Sequence, residues 1–314
     1  MDERRTAVTS LPKALRAPRR RRPREDSRER LKRTLLRRTF PVLATVSVSL
    51  AARWAEHLFR TPPRSARLRS EQRVLDQGER REIPFGRRNV VAWFWGKSPR
   101  TVLLVHGWGG HAGRLSRFVG PLLEAGFSVM AIDAPAHGDS DGRQTGLPDV
   151  AAAILEAGRV AGPLAGLVGH SMGAAAAVLA LRDGLRAERV VLLAPPTNPE
   201  EFSARFARSL CIPPAVRERM KQRLTDRHGW QWPRLRLLAC VPERPVPLLI
   251  FHDARDVKVP LRDEQAILKS WKGASIVRTR GLGHHKIARS PEVILSAVDF
   301  LSTIDRRRAL PRRA

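Results

Sequence analysis

Tyrosine is absent from this 314-residue chain and cysteine nearly so, with Cys211 and Cys240 as its two representatives. Two thiols without a Cys-x-x-Cys pair or a Cys/His cluster exclude a disulfide-stapled scaffold and a thiolate zinc site, and both are expected to be reduced. No apolar run is long enough to cross a bilayer. The best candidate, Pro41 to Ala52 within Phe40–Phe59, is short and is soon followed by Arg53 and Glu56. The long basic stretch before it does not fit a secretory signal. Acidic groups are few, 30 Asp and Glu against 58 Lys and Arg, for a formal net charge of +28. Lysine is scarce in turn, with 8 residues against 50 arginines, so the excess follows arginine along the whole chain. No zinc finger, RNA-recognition signature or aromatic-interleaved basic run accompanies it, which argues against a specific nucleic-acid partner. What remains is an expectation of weak contact between the basic N-terminus and an anionic membrane surface, in an otherwise cytoplasmic protein.

What is present is enough apolar sequence, 42%, to bury a sizeable core. Residues 1–38 hold 15 Lys and Arg against 5 Asp and Glu and are expected to form an unstructured basic tail. Residues 39–70 read as an amphipathic helix and linker, with Leu50, Trp54 and Leu58 on the face that docks. From residue 71 the pattern changes. Two segments around Arg81–Phe85 and Val90–Trp95 read as an antiparallel hairpin joined by Gly86–Asn89. Apolar runs then recur at Val102–Val105, Phe127–Ile132, Leu164–Val168, Val190–Leu193, Pro247–Phe251 and Ala274–Val277, with helical stretches between them. Short, nearly all-apolar strands alternating with helices predict an α/β fold, a mostly parallel twisted sheet of about eight strands flanked by helices. The proline-rich, helical segment 197–244 interrupts this rhythm and predicts a small helical cap inserted after the sixth strand. The core is thus expected at 71–196 and 245–305, and the five arginines within 306–314 form a second basic tail.

The most informative segment is Gly169-His170-Ser171-Met172-Gly173, placed between the apolar run ending at Val168 and the alanine-rich stretch from Ala174 to Leu181. A serine on so tight a strand-to-helix turn needs minimal neighbours, and its hydroxyl is presented at a helix N-terminus, where unpaired N–H groups favour developing negative charge. A hydroxyl is a poor nucleophile at neutral pH and needs a base, which in turn needs an orienting carboxylate. Downstream, the strand Leu248–Phe251 runs into Asp253 and Asp256, and the strand ending at Thr279 runs into Gly283-His284-His285. Asp256 is the better carboxylate, because Asp253 is nearer the strand end, where it can cap the turn. Either histidine can serve as the base. An anionic intermediate also needs donors. The N–H of Met172, after the serine, is one, and the N–H of Trp108 in His106-Gly107-Trp108-Gly109-Gly110 is the second. The remaining candidates, His57, His137, His170, His228 and His252, read as structural.

These pieces, together with Asp133-Ala134-Pro135-Ala136-His137-Gly138-Asp139-Ser140, resemble the α/β-hydrolase-fold serine hydrolases over residues 75 to 303. The resemblance implies an esterase- or lipase-like enzyme, or a serine-aminopeptidase-like one, that cleaves a small-molecule acyl substrate through Ser171, His284 and Asp256 with no metal or organic cofactor. It favours His284, preceded by Gly283, over His285. Alternatives on the same three residues are an aminopeptidase, with Glu200, Glu201, Glu218 or Asp226 of the cap receiving a free amine, an acyltransferase, or a non-catalytic binding protein. The family turn after the fourth strand reads Asp-x-Pro-Gly-His-Gly, and here Ala136 replaces its first glycine.

Overall fold

A computed structural model describes residues 8–10, 27–243, 245–259 and 264–303. In chain order the strands are β1 (Val8–Ser10), β2 (Glu79–Phe85), β3 (Arg88–Trp95), β4 (Thr101–Val105), β5 (Ser128–Ile132), β6 (Gly166–His170), β7 (Val190–Leu193), β8 (Leu248–Asp253) and β9 (Ala274–Thr279). The helices are α1 (Ser27–Val46), α2 (Val48–Arg60), α3 (Arg69–Leu75), α4 (Val119–Glu124), α5 (Leu147–Ala161), α6 (Met172–Arg182), α7 (Pro199–Leu210), α8 (Pro214–His228), α9 (Glu264–Ser270), α10 (Gly283–Lys286) and α11 (Pro291–Ser302).

One sheet carries the molecule, in the order β1-β9-β8-β7-β6-β4-β5-β3-β2. The β2–β3 hairpin is antiparallel, as is its junction with β5, and every other pairing is parallel. Eight strands match the expected runs, and the short β1 adds a ninth at the edge, beside β9. The inner strands β4 to β8 are mostly apolar and buried at every position but Thr101, because helices cover both faces. In β4, Leu103 and Val105 pack on one side with α5, α6 and the cap, while Val102 and Leu104 pack on the other with α4 and α11. The cap lies between β7 and β8 and consists of α7, α8 and two short 3-10 turns, Trp232–Leu235 and Leu237–Cys240. Both cysteines are free.

The N-terminal reading needs correction. Helix begins at Ser27, inside the stretch expected to be an unstructured tail, because Leu36, Phe40, Leu43 and Ala44 form a face that packs inward despite the surrounding arginines. Phe40 is fully buried and stacks on Trp54, with ring centroids 4.7 Å apart. The buried face of α2 is Ala51, Ala52, Ala55 and Glu56, and Leu50 points outward at 50% exposure. Positions four apart drift by about 40° per step around a helix, so Leu50 and Leu58 cannot both face the core squarely. What α2 packs against is the cap helix α8. There Glu56 is 7% exposed and meets Arg223 Nε at 2.7 Å and His228 Nε2 at 3.2 Å. Removing one member of a buried pair strands the other's charge. Glu56→Ala is therefore expected to lower unfolding stability by about 2 kcal/mol, below the full cost of a wholly buried pair because Arg223 keeps some exposure. Urea denaturation checks this, and an unchanged midpoint refutes it.

Candidate active site

The parallel topology brings the C-terminal ends of β4, β6, β8 and β9 to one edge of the sheet, and the segments that follow them carry Trp108, Ser171, Met172, Asp256, His284 and His285. Ser171 turns from β6 into α6 with φ 54° and ψ −120°, a conformation L-residues rarely adopt. Its neighbours cannot be larger. A Cβ on Gly173 would lie 2.4 Å from the His106 carbonyl oxygen, and one on Gly169 would lie 2.7 Å from the Ala174 Cα. The turn is pinned by the Ser171 N–H, which donates to the Leu193 carbonyl at 2.9 Å.

Ser171 Oγ lies 2.9 Å from His284 Nε2, and His284 Nδ1 lies 2.7 Å from Asp256 Oδ2. The Asp256 carboxylate also accepts the N–H groups of Lys258 at 2.8 Å and Val259 at 2.9 Å. Burial by itself would raise the Asp256 carboxyl, but these three hydrogen bonds outweigh it and hold it below the usual carboxylate range. Asp253 stands apart at the strand end, where it accepts from Thr279 Oγ1 and from the N–H groups of Arg255 and Leu282. His285 also stands apart, because its Nε2 accepts from Lys258 Nζ at 2.7 Å and not from the serine. Burial and the Lys258 charge push its imidazole down to about 4.

Trp108 follows β4 in a loop where the next two N–H groups are engaged. Gly109 donates to His137 Nε2 at 2.9 Å and Gly110 to the Gly107 carbonyl at 3.0 Å. The Trp108 N–H forms no hydrogen bond among the described residues. Met172 opens α6, where the helix itself offers its N–H no partner. A Cβ on Gly107 would lie 3.0 Å from the Ser171 Cβ, so this loop and the serine turn are in close contact.

Four buried histidines, three of which read as merely structural, have defined tasks. His170 Nε2 donates to the His284 carbonyl at 2.8 Å, a bond across 114 residues that holds the backbone of His284. His106 Nε2 accepts the Ala134 N–H at 3.0 Å while its Nδ1 donates to the Gly107 carbonyl at 2.7 Å. His137 donates from Nδ1 to the Pro135 carbonyl at 3.0 Å. His252 Nε2 donates to the Val259 carbonyl at 2.7 Å and braces the Asp256 turn. Sequence reasoning also missed the segment between α2 and α3. Ser65 Oγ donates to the Gly109 carbonyl at 2.6 Å, and Arg67 bridges Asp133 at 3.1 Å and Asp139 at 2.9 Å. Its only signal is the density of proline and arginine from Pro62 to Arg69. Ala136 adopts φ 63°, so the alanine occupies a backbone position suited to the glycine it replaces and carries about 1 kcal/mol of conformational cost. No cluster of potential metal ligands occurs among the described residues.

A serine on a strained strand-to-helix turn, bonded through histidine to aspartate at the C-terminal edge of such a sheet, defines the α/β-hydrolase class. A family profile described as serine aminopeptidase, S33, matches residues 96–267, more than half of the chain. The chain belongs to that family. It is 47% identical over 88 residues to the pimeloyl-[acyl-carrier protein] methyl ester esterase of Methylococcus capsulatus, a stretch that makes up 28% of this chain and 33% of that protein. The chain thus spans about a third of the length of that curated relative. Among solved structures, the Pyrococcus furiosus esterase Pf2001 superposes with a TM-score of 0.60 at 22% identity, over 77% of this chain and 96% of that one. Est1E from Butyrivibrio proteoclasticus superposes with 0.53 at 20% identity, over 71% and 100%. At these identities the two structures show the shared fold.

The buried histidines make the folded state sensitive to acid. Burial pushes His137 down to about 4 and His170 to about 3, and lowers His106 well below its ordinary value. Between about pH 4 and 6.5 the unfolded chain therefore binds protons that the folded chain refuses, and unfolding stability rises with pH across that window. Burial raises Asp133 to about 6, which acts in the opposite sense but as a single group. The expected outcome is a urea midpoint higher at pH 7 than at pH 5. A flat or inverted profile overturns this view of the histidines.

Proposed function

We propose that this protein is a serine hydrolase that cleaves an ester-type acyl bond through a covalent acyl-enzyme intermediate. The observation that carries this reading is the unbroken chain from Ser171 Oγ through His284 to Asp256, at 2.9 and 2.7 Å. His284 Nε2 takes the hydroxyl proton as Ser171 Oγ attacks the carbonyl carbon, and Asp256 orients the imidazole and stabilises the imidazolium. The carbonyl oxygen becomes an oxyanion held by the N–H groups of Trp108 and Met172, donors of a kind worth roughly 10²–10³ in rate each. His284 then protonates the departing alcohol. Water, deprotonated by the same nitrogen, releases the acid and restores the serine.

The esterase named among the relatives favours an ester, and the family description raises an aminopeptidase as the second reading. A free amine in the substrate needs an unneutralised acid near the site. In the cap, Glu218 lies 2.8 Å from Arg217 and 3.2 Å from Lys221, and Glu200 faces Lys221 and Arg236, both at 3.9 Å. These carboxylates already have cations, which weighs against amine recognition. An acyltransferase uses the same first half-reaction and differs only in what attacks the acyl-enzyme.

A panel of p-nitrophenyl acyl esters, thioesters and aminoacyl amides tests the proposal. Ester turnover should be fastest and should fall by about 10³-fold or more in Ser171→Ala at unchanged thermal stability. A fluorophosphonate should label wild type at Ser171 and leave Ser171→Ala unmarked. His284→Ala should match the serine variant, while His285→Ala should lose less than about tenfold, since its ring faces Lys258. Equal loss in both histidine variants, or turnover without Ser171, sinks the assignment.

A further inference from the structure

We infer that the outer face of the N-terminal helix pair is a docking surface for an anionic lipid bilayer. The inner face of α1 is accounted for by Phe40 and its neighbours. Yet Leu31, Leu35, Val42 and Val46 are 62%, 57%, 65% and 75% exposed on the opposite side. At 3.6 residues per turn these four positions fall within roughly 60° of arc, so they form one stripe along the helix, not scattered exposure. Leu50, half exposed, continues it at the start of α2. A 20-residue helix with apolar residues on two opposed faces needs two partners, and the fold supplies one.

Charge identifies the second. Between residues 31 and 60 the one acid is Glu56, which is buried and engaged by Arg223 and His228. From residue 31 to residue 60 the exposed surface of the pair therefore presents no negative group, and Arg38 and Arg53 stand exposed beside the stripe. A narrow apolar stripe flanked by arginines, on a helix packed against α2 and α7, fits the interfacial geometry in which side chains enter the acyl boundary and cations meet lipid phosphates. A second copy of this chain fits poorly, because a two-fold contact through the stripe sets arginine against arginine. The preceding residues 11–26 offer little cover, as they hold only Leu11 and Leu15 as large apolar groups. No helix among the described residues is long and apolar enough to cross a membrane, so the contact is peripheral. Because α1 packs on α7 and α2 on α8, the docked face lies on the side of the molecule that carries the cap. The inference does not depend on the proposed chemistry.

Sedimentation of the full chain with phosphatidylcholine vesicles, with and without phosphatidylglycerol, tests it. Binding is expected only with the anionic lipid. The triple variant Leu35→Ser, Val42→Ser, Val46→Ser, which leaves net charge unchanged, should bind roughly tenfold more weakly, at unchanged thermal stability because the three side chains already face solvent. Arg38→Ser with Arg53→Ser should weaken binding as well. Undiminished binding by the triple variant assigns the contact to the basic termini alone and overturns the proposal. So does equal binding to both vesicle types, or a wild-type dimer that the triple variant converts to monomer.

Discussion

The backbone at Ser171 is the constraint around which the site is arranged. A positive φ at a side-chain-bearing residue persists only where the surroundings over-determine it. Here they do so from three directions. The Leu193 carbonyl fixes the N–H, the carbonyls of Val105 and His106 press on Gly173, and Gly107 lies against the serine Cβ. Each contact comes from a neighbouring strand of the sheet or the loop that follows it. The turn is therefore held by β4 and β7 as much as by β6, and the hydroxyl inherits the rigidity of the sheet.

Around that turn the protein uses neutral imidazoles as struts. A histidine that donates from one nitrogen and accepts at the other is locked in a single tautomer and joins two backbone segments at a fixed distance. His106 joins the loop after β4 to the turn after β5, and His137 ties the same two segments in the reverse direction. The Trp108 N–H is positioned by this pair of cross-ties. His170 acts on the opposite side, holding the carbonyl of His284. Protonating His106 or His137 would replace its acceptor with a donor and break a tie, so the burial that keeps them neutral is part of how the site keeps its shape.

Much of this was legible in the sequence because the demands are local. Gly169 and Gly173 announce a turn that admits no side chains, and the apolar runs announce strands covered on both faces. Choosing between His284 and His285 was not local, since neighbouring residues on one short helix differ only in the direction each ring takes. The His170 bond to His284 spans two loops and leaves no trace in composition. The N-terminal region was misjudged for a different reason. Its arginines dominate any average, whereas Phe40 and the alanines of α2 fold it through side-chain spacing and through a cap it meets only in three dimensions.

That region also has a bearing on the site. Residues 56–71 touch the cap through Glu56 and Arg60, the loop after β4 through Ser65, and the turn after β5 through Arg67. A Cβ on Gly109 would lie 2.8 Å from Pro63, so this segment rests directly on the loop that carries Trp108. Glu71 extends the connection, accepting from Arg289 at 2.6 Å and Arg114 at 3.3 Å. The family match begins at residue 96, yet the chain before it braces the same loop that His106 and His137 brace from below. A loop clamped on both sides keeps its free N–H aimed without reorganisation, which is the condition under which a hydrogen-bond donor contributes most to stabilising a developing oxyanion. The N-terminal helices thus belong to the scaffold around the site, joined to it by a segment bonded to the cap, to the loop after β4 and to the turn after β5.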